Sequence, residues 1–228
     1  MNETLLTALA LIPCLVIAIV FHEVAHGWTA LALGDPTAKE RRRLTLNPIR
    51  HVDPVGTLVV PGMLAVAGMP VFGWAKPVPV MQGRLNNPRY GMMAVAAAGP
   101  LSNLVMAAIG AVALGVYAST LTAPPEAFGQ YIGLTLNYFI MINVFLAFFN
   151  LLPIPPFDGS HIVEGLLPPS AAQTYRKLRP LGFGIVFLIL LVIPYFFPGS
   201  GIIENVVLPP VAWVIDQFLG LARMVAGG

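Results

Sequence analysis

The stretch LLTALALIPCLVIAIVFHEVAHGW, residues 5–28, decides the fold of this chain. It begins as an almost unbroken apolar run, and about 20 such residues suffice to cross a bilayer as a helix. His22, Glu23 and His26 follow directly. Ionisable side chains at bilayer depth cost at least about 2.5 kcal/mol each, so three of them close together indicate a functional site.

The composition places the rest of the chain in a membrane as well. Of its 228 residues 57% are hydrophobic and only 10% are charged, whereas soluble domains carry about 25% charged residues. No basic run is interleaved with aromatic residues, so nucleic-acid binding has no support. The single cysteine, Cys14, excludes an internal disulfide and a thiolate-rich zinc site. We therefore expect an integral membrane protein.

Apolar segments predict an all-α polytopic protein with about five to six transmembrane helices. A fifth segment, near 203–224, is weaker because two prolines and an aspartate interrupt it. A sixth, VGTLVVPGMLAVAGMPVFGW at 55–74, is rich in glycine and proline and makes a poor continuous helix. The four clear segments are 4–33, 91–118, 129–152 and 180–197.

The basic residues orient these segments. If 55–74 enters and leaves on one face, all twelve Lys and Arg fall on the same side of the membrane. The positive-inside rule assigns that side to the cytoplasm. We therefore predict that 55–74 is a re-entrant segment near the site, open to a β-like conformation. The chain, 1–228, would form a single membrane-embedded domain with five crossings, its N-terminus outside and its C-terminus in the cytoplasm.

The histidines and the glutamate form the pattern H-E-x-x-H. Spacing i, i+4 stacks the imidazoles of His22 and His26 on one helical face, where both can ligate one cation. Glu23 projects elsewhere and can reach a metal-bound water without being a ligand. Neutral imidazoles suit zinc, and a catalytic zinc has three protein ligands and an open position. A third ligand is therefore required.

The third ligand is sought in NLLPIPPFDGSHIVEG, residues 150–165. Asp158 is the leading candidate, because the prolines before it break the helix and the glycine after it permits a turn. His161 and Glu164 are rivals that could instead be supporting or interfacial residues. His51, in a loop rich in Pro and Asp, is interpreted as a turn residue or as a group that orients the re-entrant segment.

Two main motifs and two supporting stretches carry a resemblance to a known family. HEVAH, residues 22–26, lies on a membrane helix, and NLLPIPPFDG, residues 150–159, is similar to the pattern N-x-x-P-x-x-x-x-D-G. NPIRHVDPVGTL, residues 47–58, and AAGPLSNL, residues 97–104, are similar to sequences found between those motifs. Together they resemble the site-2 proteases, which are intramembrane zinc metalloproteases, in a compact form lacking PDZ and CBS domains.

The resemblance implies a role for each site residue. His22, His26 and Asp158 would bind one zinc ion per chain, Glu23 would activate the water, and Asn150 would hydrogen-bond the substrate carbonyl or oxyanion. Family members cut substrates within or beside a transmembrane segment, in regulated intramembrane proteolysis. The substrate would be a transmembrane protein or peptide in the lipid bilayer, with the active site towards the cytoplasm of the cell membrane. The sequence leaves the oligomeric state open.

Two other classes of function compete with this interpretation. In a metal transporter the same ligands would form a transient ion site, but transporters usually show internal repeats, and none is evident here. A non-catalytic protein that binds membrane segments would not require intact H-E-x-x-H and D-G motifs. The protease hypothesis accounts for Glu23, which neither alternative needs.

Overall fold

The computed structural model describes residues 3–66, 73–197, 205 and 208–228. Within them the chain is entirely helical and has no β-strand, which confirms the all-α prediction. Ten α-helices follow one another along the described part of the chain: α1 Glu3–Ala32, α2 Thr37–Glu40, α3 Val60–Val66, α4 Pro88–Ser119, α5 Ala127–Asn150, α6 Asp158–Leu166, α7 Pro169–Arg176, α8 Gly182–Phe187, α9 Ile193–Phe196 and α10 Leu208–Val225.

Three of the described helices are long and apolar enough to cross a membrane. They are Leu5–Ala32 within α1, all of α4 and all of α5, and they match the spans predicted at 4–33, 91–118 and 129–152. The segment predicted at 180–197 is instead divided into α8, a π-helical turn at Leu188–Val192 and α9. These three helices identify a membrane protein, and the larger number of crossings stays a prediction.

The segment expected to be β-like, 55–74, is helical over 55–66, so that expectation was wrong for those residues. A π-helical turn covers Pro54–Val59 and runs into α3. Asp53 starts the turn, because its carboxylate accepts hydrogen bonds from the backbone N–H groups of Val55 and Gly56 at 3.0 and 2.7 Å. Such a cap satisfies donors that a helix start leaves free. Residues 67–72 of the predicted segment lie outside the described residues.

The chain divides into two compact units, and the first comprises Met1–Ala18, Pro100–Leu151 and Gly201–Gly228. Its core is made of small and branched apolar side chains from α4, α5 and α10, among them Ala107, Ile140 and Val211. Small residues let membrane helices approach closely. This unit also buries an asparagine pair, Asn103 and Asn143, between its helices.

The second unit comprises Ile19–Gly99 and Leu152–Ser200 and contains the H-E-x-x-H motif. Ala30, Leu85 and Val95 form its buried apolar cluster. The loop after α1 is fixed by the fully buried Asp35 carboxylate. Its Oδ1 accepts a hydrogen bond from the backbone N–H of Thr37, and its Oδ2 accepts one from the backbone N–H of Met81. The unit thereby holds the C-terminal half of α1 against the start of α4.

Candidate metal centre

The two histidines of the H-E-x-x-H motif lie one turn apart on α1, with their side chains on the same face of the helix and their ring planes nearly perpendicular. His22 and His26 are only 5% and 8% exposed. Their ring centroids are 4.6 Å apart and their Nε2 atoms lie 3.0 Å apart. The i, i+4 spacing has therefore brought two ligand-type nitrogens to one point, as helical geometry requires.

Asp158 lies close to the two imidazoles although it is far from them in the sequence. The prolines after α5 prevent that helix from continuing, and a new helix, α6, begins at Asp158 itself. Its Oδ2 lies 3.1 Å from Nε2 of His22 and 3.3 Å from Nε2 of His26. Of the three candidates for a third ligand, Asp158 is the one that meets the histidines.

The hydrogen bonding around these atoms fits a metal ion. Nδ1 of His26 lies 2.7 Å from the carbonyl oxygen of Val95, so that nitrogen carries the proton and Nε2 keeps a lone pair. Oδ2 of Asp158 is buried and has no hydrogen-bond partner among the described residues. Ligand atoms about 2.05 Å from a tetrahedral zinc are about 3.3 Å apart, close to the separations observed here.

A glycine in α4 makes room for the imidazoles. A Cβ atom built on Gly99 would lie 2.5 Å from Cε1 and Nε2 of His26 and 2.6 Å from Cε1 of His22. Real Cβ atoms essentially never approach so closely. The chain can therefore place both rings against α4 only with glycine at this position.

Glu23 lies beside the cluster of three but is not part of it. Its Oε2 accepts a hydrogen bond from the backbone N–H of Val78 at 2.7 Å. One carboxylate oxygen is thus held in place by a backbone donor. This arrangement fixes the side chain, and it is compatible with the role predicted for Glu23 as a general base.

The structure gives Asn150 a local partner. It is the last residue of α5, in the first unit, and its Nδ2 donates to the carbonyl of Leu146 at 2.9 Å. The metal cluster belongs to the second unit. A role for Asn150 at the substrate carbonyl therefore stays a prediction.

The other predicted polar residues form separate contacts. Glu164 is buried and paired with Nε of Arg176 at 3.0 Å and with Arg179. Arg179 also donates to Nδ1 of His161 at 3.0 Å. Burial and the neighbouring Arg179 charge lower the pKa of His161. Nε2 of the buried His51 donates to the carbonyl of Thr45 at 2.9 Å, as a residue that fixes a turn would do.

Sequence reasoning missed three residues that shape this centre. Val95 and Val78 act through a backbone carbonyl and a backbone N–H, which leave no signature in the side-chain sequence. Gly99 lies in AAGPLSNL, a stretch whose resemblance to the family was noticed without a role for its glycine. A glycine inside a predicted span often marks a close approach, and this signal was available.

Comparisons with known proteins agree on one family. The sequence model of peptidase family M50 matches residues 126–193. Three relatives bear the name "Putative zinc metalloprotease". YwhC of Bacillus subtilis (strain 168) is 41% identical over 85% of this chain and 87% of its own length. Rip2 of Mycolicibacterium smegmatis is 28% identical, over 79% of this chain and 70% of its own. Rip2 of Mycobacterium tuberculosis (strain H37Rv) is 31% identical, over 77% and 63%.

No solved structure matches the chain. The likeness to YwhC nevertheless extends over most of both proteins. The chain therefore belongs to peptidase family M50, the site-2 protease family of intramembrane zinc metalloproteases.

Proposed function

We propose that His22, His26 and Asp158 are the three ligands of one catalytic zinc ion in this chain. The observation that carries the proposal is the convergence of their two Nε2 atoms and one Oδ2 atom within 3.0 to 3.3 Å. Two imidazoles and one carboxylate are a recurrent ligand set of catalytic zinc. The protein hydrolyses peptide bonds within or beside transmembrane segments of membrane-bound substrates.

Glu23 is the general base and acid in this proposal. When bound, zinc supplies a Lewis acid that acidifies a water molecule and polarises a carbonyl group. The Glu23 carboxylate takes a proton from the attacking water and delivers it to the leaving amine. Its hydrogen bond from Val78 keeps the carboxylate oriented during both transfers.

Asn150 and the segment at 55–74 complete the proposal on the substrate side. The Asn150 amide donates to the oxyanion once it leaves its present acceptor, the carbonyl of Leu146. One oxyanion donor is worth roughly 3–4 kcal/mol in better-studied sites. The segment at 55–74 enters and leaves the membrane on one face, and it lines the path along which an unwound substrate reaches the centre.

The orientation follows from the charges. We assign the C-terminus and all twelve Lys and Arg to the cytoplasmic side of the cell membrane. The N-terminus then lies outside, and the chain crosses five times as a single domain. His22 and His26 lie near the cytoplasmic end of α1, so water reaches them from that side.

The test is the metal content of purified protein. Wild type is expected to carry about one zinc per chain, as three protein ligands allow. His22→Ala and Asp158→Ala are each expected to lose most of it. His161→Ala is the matched control, because His161 lies one turn along α6 from Asp158 and contacts Arg179 instead. Full zinc in Asp158→Ala together with loss in His161→Ala would assign the third ligand to His161.

A second variant separates a protease from a metal carrier. Glu23→Gln should keep zinc, since Glu23 is not a ligand, while cleavage of a single-span reporter in proteoliposomes falls by about 100-fold or more. Unchanged cleavage would remove Glu23 from the chemistry. Zinc flux across the vesicle membrane that depends on Glu23 would favour the transport alternative.

A further inference from the structure

Four basic side chains of the second unit line one open groove, here called the basic groove. Its volume is about 580 Å³, and it lies between the loop after α2 and the extended segment before Val78. None of its lining residues, all of them in the described part of the chain, is acidic. The basic members are Arg41, Arg43, Arg50 and Lys76.

These four differ from the paired basic residues elsewhere in the described chain. Arg84 binds Glu40, Arg176 and Arg179 bind Glu164, and Arg223 binds Asp216. No ion pair of the described residues includes a member of the basic groove. Positive charges that no carboxylate of the groove lining offsets repel one another, so the groove is complementary to an anion.

Arg43 adds a buried charge to this surface. It is only 8% exposed, and its Nη2 donates to the carbonyl of Lys76 at 2.7 Å. Its Nε is buried and has no hydrogen-bond partner among the described residues. Burial lowers the pKa of Arg43, and Arg50 lowers it further while Glu23 opposes the change. A buried guanidinium N–H without an acceptor is costly, and a bound anion would supply the acceptor.

The chain next to the basic groove is strongly apolar. Ile49, which lines the groove, is 77% exposed. A few residues on, one face of the helical segment at 54–66 carries exposed aliphatic side chains at spacings of four, four and three. This apolar stripe consists of Val55, Val59, Met63 and Val66, exposed to 54%, 51%, 68% and 92%.

We propose that the basic groove binds the headgroup phosphate of an anionic phospholipid, whose acyl chains lie along the apolar stripe. Phosphate fits a cluster of guanidinium groups. Basic clusters that directly follow a membrane helix recognise anionic lipids, and the groove follows α1. A free phosphate ion would make no contact with the apolar stripe, and an acidic peptide would not require these exposed side chains to be apolar.

The experiment is native mass spectrometry of the zinc-loaded protein purified from nanodiscs of equal phosphatidylglycerol and phosphatidylcholine. Wild type is expected to retain phosphatidylglycerol in preference. R41Q/R50Q removes two exposed members of the groove and should reduce that preference about thirtyfold, at roughly fivefold per basic side chain. R223Q, which changes an exposed arginine paired with Asp216, is the matched control and should behave as wild type.

Two further arms identify the source of the phosphate. V59S/V66S should also weaken phosphatidylglycerol retention, since it removes acyl-chain contacts. Inorganic phosphate at about 10 mM should leave retention unchanged. Equal retention by wild type and R41Q/R50Q would overturn the proposal. So would displacement of the lipid by inorganic phosphate or by an acidic peptide. Zinc content verifies folding of each variant, and this outcome is independent of whether the protein cleaves peptides.

Discussion

Two clusters of buried polar side chains in this membrane protein differ in how their polar atoms are paired. In the first unit Asn103 and Asn143 are fully buried. Nδ2 of Asn103 donates to Oδ1 of Asn143 at 2.9 Å and to the carbonyl of Ala18 at 3.1 Å. Nδ2 of Asn143 donates to the carbonyl of Phe139 at 2.8 Å. Donors and acceptors are matched, and the pair joins helices.

In the second unit, three ligand-type atoms converge instead: Nε2 of His22, Nε2 of His26 and Oδ2 of Asp158 lie 3.0 to 3.3 Å from one another. The proton of His26 is on Nδ1, facing Val95, so its Nε2 meets the Asp158 oxygen as one lone pair meets another. Two lone pairs that face each other are unfavourable unless a proton or a metal ion lies between them. Convergence of ligand-type atoms from distant parts of the sequence, rather than polarity alone, is therefore the feature on which the predicted ligand site rests.

The largest expected effect comes from Gly99→Ala, which tests how closely the metal cluster depends on α4. The added Cβ would lie 2.5 Å from Cε1 of His26, so both rings must move. We expect zinc affinity to fall by about 10–100-fold, as when other supporting contacts of ligands are changed. Competition with a chromophoric zinc chelator measures this directly.

Gly184→Ala is the control, because a Cβ at that position meets nothing within 4 Å. Alanine favours helix at both positions, so helix propensity cannot explain a difference between them. Zinc affinity that is equal in the two variants would show that the rings do not depend on the space at Gly99.

The grouping of His22 and His26 could be predicted from spacing alone, because i, i+4 geometry is a local property of any helix. The position of Asp158 could be expected from the prolines that end α5, although its meeting with the histidines required the fold. Their role as ligands is still a prediction. Val95 and Val78 could not have been found, since every residue has the same backbone groups.

The fold was predictable where the apolar pattern is long. The limits of α1, α4 and α5 follow the segments expected at 4–33, 91–118 and 129–152 within a few residues. The β-like expectation near 55–74 failed because glycine and proline content does not specify a conformation. A local cap, the Asp53 carboxylate on Val55 and Gly56, decided in favour of a helical turn.

Asp35 is a buried carboxylate that, unlike Asp158, accepts hydrogen bonds on both of its oxygens. Asp35 accepts hydrogen bonds from the N–H groups of Thr37 at 3.0 Å and Met81 at 2.6 Å, and from the Thr37 hydroxyl. Burial raises the pKa of Asp35, but these hydrogen bonds outweigh it and hold the pKa below its usual range. We expect Asp35→Asn to lower the free energy of unfolding by about 2 kcal/mol at pH 7.

The pH dependence of this effect has a definite sign. Since the folded-state pKa lies below the unfolded value of about 3.9, the carboxylate contributes its stability above that pH and loses it as the pH falls. The difference between parent and Asp35→Asn should therefore shrink below about pH 4. Thermal unfolding in detergent measures it, in a His22→Ala background so that zinc loss does not contribute. A difference that grows on acidification would contradict the assignment.

The smallest expected effect is that of Asn103→Ala, which tests the matched site. It leaves Oδ1 of Asn143 without its donor, and hydrogen bonds between membrane helices contribute about 0.6–1.7 kcal/mol. We expect a loss of about 1 kcal/mol in unfolding free energy with unchanged zinc content. Leu101→Ala, at a position 59% exposed on the same helix, should change stability by less than about 0.5 kcal/mol. If Asn103→Ala instead released zinc without lowering stability, the asparagine pair would belong to the ligand site, and the division between matched and converging polar groups would fail.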